Sequence, residues 1–275
     1  MIFVENFVKI LKKNKVDFFT GVPDSILKNL SLYLENFSIK KHIIAANEGA
    51  AVSVGIGYYL SRKKIPCVYF QNSGLGNAIN PLISIAHKEV YSIPLLLIIG
   101  WRGSPNQPDE PQHKAKGKIT KNLLQLLKVK HCVLKSEKDL LKLKNLIKIS
   151  YREKRIVACL IEKNSLEIKK VKKKNKIDFS LLRSDFIEKL LSLIPKNSKI
   201  ISTTGYTSRE LMQIRKSKKK TKGKDFYMVG GMGHSSAVAA GYSLNSTNQV
   251  ICLDGDGSVL MHLGTIRTIG SVSYT

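Results

Sequence analysis

Ile251-Cys252-Leu253-Asp254-Gly255-Asp256-Gly257-Ser258 is a short apolar run that stops at an acidic residue held between two glycines. A run of this kind reads as a buried strand, and the glycines let the backbone turn sharply and approach a ligand closely. Asp256 is then displayed at a strand end, and Ser258 is placed to cap a helix over residues 259–268. Oxyanions can sit against the free N–H groups of such a turn, beside a carboxylate that binds a hard cation. The stretch therefore reads either as a Mg-diphosphate site or as a tight strand-to-helix turn with no ligand.

Upstream of it, Met228-Val229-Gly230-Gly231-Met232-Gly233-His234-Ser235-Ser236 feeds a small-residue segment, Ala237-Val238-Ala239-Ala240-Gly241. The glycines permit close approach to a flat ligand, and Met232 projects among them either as a prop for it or as core filler. Further back, a helix over residues 183–194, a strand at Lys199–Ser202 and Thr203-Thr204-Gly205-Tyr206-Thr207-Ser208-Arg209-Glu210 open this second unit.

The first part of the chain repeats the strand-turn-helix rhythm. A helix within residues 1–15 and a strand over 16–20 lead to Gly21-Val22-Pro23, and Asp24 can cap the helix that follows. Asp24 also lies at a strand's C-terminal end, where open α/β sheets bind ligands. A second strand, His42-Ile43-Ile44-Ala45-Ala46, runs into Asn47-Glu48-Gly49-Ala50-Ala51, where so many small residues imply that another element packs close to the helix backbone. Glu48 opens that helix. It is either a carboxylate favourably set on the helix dipole or a half-buried acid that shares a proton with a ligand nitrogen.

A third strand over residues 65–70 precedes Gln71-Asn72-Ser73-Gly74-Leu75-Gly76-Asn77, which contains neither a Gly-Lys-Ser/Thr nor a complete Gly-x-Gly-x-x-Gly, so both nucleotide-loop readings are rejected. A fourth strand over 94–100 leads to a proline-rich loop, residues 101–117, in which Trp101, Arg102 and His113 argue for function. A segment over 123–129, a helix over 135–152 and a strand over 156–162 complete the first domain.

The 275 residues are 43% hydrophobic, enough for real α/β cores, and carry a formal charge of +26. The lysine clusters near 169–176 and 216–222 contain no aromatic residues, so a specific nucleic-acid partner is not expected, whereas anionic ligands are attracted. Cys67, Cys132, Cys159 and Cys252 are scattered without a Cys-x-x-Cys pair, which favours reduced thiols and a cytoplasmic setting. The longest apolar stretch, 93–101, is too short to cross a bilayer, and no membrane partner is expected.

Asn47-Glu48-Gly49-Ala50-Ala51, Gly230-Gly231-Met232-Gly233 and Gly255-Asp256-Gly257-Ser258 together resemble the thiamine-diphosphate-dependent decarboxylases. Gly21-Val22-Pro23-Asp24-Ser25, residues 71–81, Asp109-Glu110-Pro111-Gln112-His113, Thr207-Ser208-Arg209-Glu210 and residues 257–261 resemble their branch that acts on phosphonopyruvate and sulfopyruvate. The resemblance implies an α/β fold of two thiamine-diphosphate-binding domains, each a mostly parallel sheet flanked by helices, the second incomplete. These are a pyrimidine-binding domain over 1–165, a basic linker over 166–180 and a pyrophosphate-binding domain over 181–275. It implies thiamine diphosphate and Mg2+ as cofactors, an anionic 2-oxo acid as substrate, and a homodimer or homotetramer with the active site between subunits.

By the same resemblance Glu48 meets the aminopyrimidine, while Met232, Gly230, Gly74, Thr204, Gly205, Gly255, Gly257 and Ser258 contact the cofactor and Asp256 ligates the metal. Asp24 and His113 are the candidates for proton handling, and Arg102 or Arg209 for the phosphonate or sulfonate, because guanidinium matches such oxyanions. One departure stands out. The family's second metal ligand, an Asn about thirty residues past the Gly-Asp-Gly, has no counterpart in the 18 residues that follow Gly257. The reading is therefore of a C-terminally truncated chain that binds Mg-thiamine diphosphate poorly on its own; a non-catalytic subunit of the same fold is its alternative.

Overall fold

The computed structural model describes residues 1–105, 107–169, 180–217 and 225–272, and the chain forms two units, Met1–Lys173 and Lys174–Thr275. The first opens with a short strand β1 (Ile2–Phe3) and helix α1 (Val4–Lys13), then alternates regularly. β2 (Phe19–Gly21), α2 (Lys28–Leu34), β3 (His42–Ile44), α3 (Glu48–Arg62), β4 (Cys67–Gln71) and α4 (Leu75–Pro81) come first. β5 (Leu96–Gly100), α5 (Pro111–Leu126), β6 (Lys130–Leu134), α6 (Leu140–Glu153), β7 (Val157–Ile161) and β8 (Leu166–Glu167) follow.

The main sheet is wholly parallel in the order β3-β2-β4-β5-β7-β6. Strand periodicity divides its side chains between two cores. Cys67, Tyr69, Leu96, Ile98, Val157, Cys159 and Ile161 pack on one side with residues of α1, α2 and α6. Val68, Phe70, Leu97, Ile99, Ala158 and Leu160 pack on the other with residues of α3, α4 and α5. Crossovers on both faces leave every strand-to-helix turn at the C-terminal edge of the sheet, where the ligand-bearing residues of such folds gather.

Several elements depart from the sequence reading. Residues 111–117, read as loop from their prolines, are the first two turns of α5, because Pro111 occupies N1, where a missing N–H costs nothing. β6 carries no strand signal in the sequence, because its half-buried, mixed pattern at the sheet edge lacks a clear alternation. Leu166 and Glu167, placed in the linker by composition, pair in parallel with Ile2 and Phe3 instead, because backbone pairing does not depend on their polar neighbours. Linker residues 170–179 lie outside the described residues.

The second unit contains α7 (Arg183–Leu193), β9 (Lys199–Ser202), α8 (Tyr206–Ser217), β10 (Phe226–Tyr227), α9 (Ser235–Ser243), β11 (Val250–Leu253), α10 (Asp256–Met261) and α11 (Gly264–Val272). Its three strands are parallel in the order β10-β9-β11, over a core of Ile187, Ile200, Leu211, Ile214 and Leu253. Residues 259–268, read as one helix, are parts of two. His262, at φ −134°, ends α10, and the chain restarts at Gly264.

Candidate cofactor and active site

Glu48 is the first residue of α3, and its side chain is 6% exposed. Asn47 caps the helix by accepting from the Ala50 N–H, so the chain enters α3 with Glu48 in the first turn, favourable for an anion. Two elements then set its direction. The Asn77 Nδ2 donates to Glu48 Oε2 at 2.8 Å, and a Cβ on Gly74 would lie 2.2 Å from the carboxylate. Gly74 thus gives the carboxylate room against the β4–α4 turn. A Cβ on Gly49 would lie 2.7 Å from the Asn77 carbonyl, which is the close helix packing that the small residues imply. Asn77, read from the sequence only as a neutral polar group, is the partner of this acid.

Asp24 follows β2. Its Oδ1 accepts from the Ile26 and Leu27 N–H groups, a cap one turn ahead of α2, while Oδ2 is enclosed with no hydrogen-bond partner. Burial raises its pKa to about 6, against the opposing pull of those N–H groups, of the nearby Gln71 side chain and of the Arg102 guanidinium. A carboxyl whose pKa is raised this far is suited to proton handling.

After β5 the chain turns at Arg102, held by a reciprocal pair: Asn72 Nδ2 donates to the Arg102 carbonyl, and the Arg102 N–H donates to Asn72 Oδ1. The Arg102 guanidinium forms a bidentate pair with Asp109, Nε to Oδ2 at 2.9 Å and Nη2 to Oδ1 at 2.8 Å, and its Nη1 donates to Ser25 Oγ at 2.9 Å. Arg102, expected as an anion receptor, thus turns at least three of its five guanidinium N–H groups to partners within the protein. Asp109 also accepts the Gly103 and Glu110 N–H groups and lies 2.8 Å from His113 Nδ1. Burial works against ionisation of Asp109, but Arg102 and the backbone donors outweigh it and hold the carboxyl well below the usual range.

In the second unit, Gly231 and Gly233 adopt φ +69° and +91°, and Met232 between them is 43% exposed. Ser258 does not cap a helix. It is the third residue of α10, whose N-cap is Gly255; its buried hydroxyl accepts the Gly233 N–H and meets Thr203 Oγ1 at 3.1 Å. Ser258 therefore ties the glycine loop to the Gly-Asp-Gly turn. Asp256 opens α10 and is exposed, and the neighbouring Asp254 has an enclosed Oδ2 without a partner. The first intrahelical bond comes from Val259 to Gly255, so the N–H groups of Asp256, Gly257 and Ser258 have no helical carbonyl to meet. Gly205, at φ +94°, follows half-buried Thr204 at the end of β9. Arg209 lies on α8, with its guanidinium 5.9 Å from the Tyr206 ring.

Among the described residues no group of three or more His, Cys, Asp or Glu side chains gathers to hold a metal, and no helix is long and apolar enough to cross a membrane.

Residues 1–126 match the N-terminal TPP binding domain of thiamine pyrophosphate enzymes, and residues 203–272 match the C-terminal TPP binding domain. A phosphonopyruvate decarboxylase of Streptomyces viridochromogenes is 32% identical over 268 residues, covering 91% of this chain and 66% of its own. The sulfopyruvate decarboxylase subunit alpha of Methanococcus maripaludis is 33% identical over 159 residues, covering 58% of this chain and 93% of its own. The chain belongs to the thiamine-diphosphate-dependent decarboxylase family. Among solved structures, a benzoylformate decarboxylase from Polynucleobacter necessarius matches at a TM-score of 0.45 and 18% identity, over 74% of this chain and 39% of that one. The chain spans about two thirds of the length of the Streptomyces relative.

The residues fit the family's cofactor. The first unit of this thiamine-diphosphate-dependent family member supplies a buried, oriented carboxylate on a helix of small residues. The second supplies a glycine loop with an exposed methionine, unpaired helix-start N–H groups and two aspartates.

Proposed function

We propose that the chain serves in the thiamine-diphosphate- and Mg2+-dependent decarboxylation of 3-phosphonopyruvate to phosphonoacetaldehyde and carbon dioxide. The observation that carries this reading is the buried Glu48, held by Asn77 and given room by Gly74 at the start of α3. When bound, thiamine diphosphate supplies a carbon nucleophile for the keto group and a cationic ring that takes up the electrons released with carbon dioxide. Glu48 holds a proton between its carboxylate and the aminopyrimidine nitrogen, and Asn77 keeps that carboxylate from turning away. Gly230, Met232, Gly255 and Thr204-Gly205 line the cofactor. The free N–H groups of Gly257 and Ser258 meet the diphosphate. Asp256 would ligate Mg2+, a hard cation that takes carboxylate oxygen. Asp24 Oδ2 and His113 Nε2 carry the proton that completes the product.

Arg209 is assigned to the substrate's terminal oxyanion. Arg102 is assigned to holding the β5–α5 loop, because Asp109 and Ser25 take three of its five N–H groups. Sulfopyruvate is the second reading, supported by the similarity to the Methanococcus subunit. That protein's designation as a subunit also supports assembly of more than one chain, for which we propose a homodimer or homotetramer.

The test is carbon dioxide release from phosphonopyruvate and from sulfopyruvate by the purified chain with thiamine diphosphate and Mg2+, beside a Glu48→Ala control. Glu48-dependent release, faster with phosphonopyruvate, is the expected result. No release from chain that binds the cofactor would sink the reading, and faster release from sulfopyruvate would transfer it to the second substrate.

A further inference from the structure

His113 Nδ1 lies between two groups of opposite demand. Asp109 Oδ1, an acceptor, is 2.8 Å away, and Arg102 Nη2, a donor, is 3.1 Å away. Only one can be hydrogen-bonded to it at a time. A bare Nδ1 would turn its lone pair on the Asp109 carboxylate at the shorter distance, a repulsion set against only the longer contact to the second N–H of Arg102 Nη2. A protonated Nδ1 instead donates to Asp109, while Arg102 neutralises that carboxylate from its other side. The proton therefore belongs on Nδ1, which leaves Nε2 with its lone pair.

Asp109 is built to do this. It accepts Arg102 Nε and Nη2, the Gly103 and Glu110 N–H groups and His113, so its two oxygens are held from four directions. Arg102 is anchored in turn by Ser25 and Asn72. The backbone behind it is equally constrained. A Cβ on Gly103, at φ +67°, would lie 1.9 Å from the His113 carbonyl, and Trp101 Nε1 donates to the Gly117 carbonyl on α5. The loop after β5 is thus pinned against the turn of α5 that carries His113.

We propose that Asp109 is a positioning residue that fixes the tautomer and orientation of His113, keeping Nε2 free to take up from solvent the proton that decarboxylation consumes and to deliver it to the reacting substrate. The proposal rests on the decarboxylase reading for the substrate but not for the tautomer, so the two fail separately.

The experiment is a long-range 1H–15N spectrum of the full-length chain at about pH 8, with the His113 signals assigned by their loss in His113→Gln, recorded for wild type, Asp109→Asn and Asp109→Glu. The expected result is an Nδ1–H imidazole in wild type and an Nε2–H imidazole in Asp109→Asn, whose amide can donate to Nδ1. Decarboxylation kinetics should show kcat reduced about 10- to 100-fold in Asp109→Asn with KM little changed, and partial recovery in Asp109→Glu. A wild-type ring carrying Nε2–H, or an unchanged tautomer in a folded Asp109→Asn, overturns the proposal. Absence of turnover in wild type removes the decarboxylase reading and leaves the tautomer result to decide the role of Asp109.

Discussion

At the residue scale the proposed site rests on two carboxylates in different surroundings. Glu48 was legible in the sequence as an acid opening a helix of small residues; that Asn77 and Gly74 orient it was not, because both arrive from the next strand-helix turn. Replacing Glu48 with Ala should lower kcat at least about 100-fold, with little loss of stability since the helix keeps its Asn47 cap; stopped assays and thermal melts of the variant check both. Asp24 behaves differently. Its pKa rises from the ordinary 3.8 to about 6, so over the interval between those values the folded chain keeps a proton that the unfolded chain has lost. The stability attached to this group is therefore present below about pH 4 and lost by the time the pH passes about 6. Asp24→Asn should match wild type near pH 4 and exceed it at pH 7 by up to roughly 3 kcal/mol, while losing activity. Parallel urea-denaturation curves for the two proteins at both pH values would refute this.

At the scale of elements, the decisive contact joins the loop after β5 to α5. A Cβ on Gly117 would lie 1.7 Å from the Gly103 carbonyl, so helix and loop touch through backbone atoms. Gly117→Ala should separate them and cost more than about 2 kcal/mol, with a lower Tm and weakened turnover as His113 moves; Lys118→Ala, on the exposed next position, should stay within about 0.5 kcal/mol of wild type. Equal melting temperatures for the two variants would show that the loop yields. The sequence suggested function for residues 101–117 but not this geometry. Prolines mark loops and helix starts alike, and only packing against Gly103 shows that Pro111 begins a helix. Ser258 teaches the same lesson. Its hydroxyl meets Gly233 and Thr203, distant residues that local capping rules do not weigh.

At the scale of the whole molecule, a formal charge of +26 sets the field that an anionic substrate meets. KM for the proposed substrate should rise several-fold between about 0.02 and 0.3 M salt while kcat stays level, as screening shortens the reach of that field. A flat KM would mean that net charge plays no part in capture. Binding of thiamine diphosphate with Mg2+ should raise the melting temperature in both wild type and Asp109→Asn, because the groups proposed to hold the cofactor do not include Asp109. At a hundredfold excess over Kd the gain is about 2.7 kcal/mol.

The family and the α/β alternation follow from the sequence alone, because apolar strand runs, glycine turns and small-residue helix starts are local signals, and the same signals supply the residues proposed for the site. The tertiary structure decided how those residues are used. It enclosed Glu48 with Asn77, turned Arg102 inward to Asp109, set Asp109 on His113 Nδ1 and tied Ser258 to the glycine loop. The contacts of Asp109 with His113 and Arg102 are local, four and seven residues apart, whereas Glu48–Asn77 and Ser258–Gly233 span 29 and 25 residues. They exist because parallel strands bring the turns at their C-terminal ends to a common edge, where polar side chains withdrawn from water must find partners in one another.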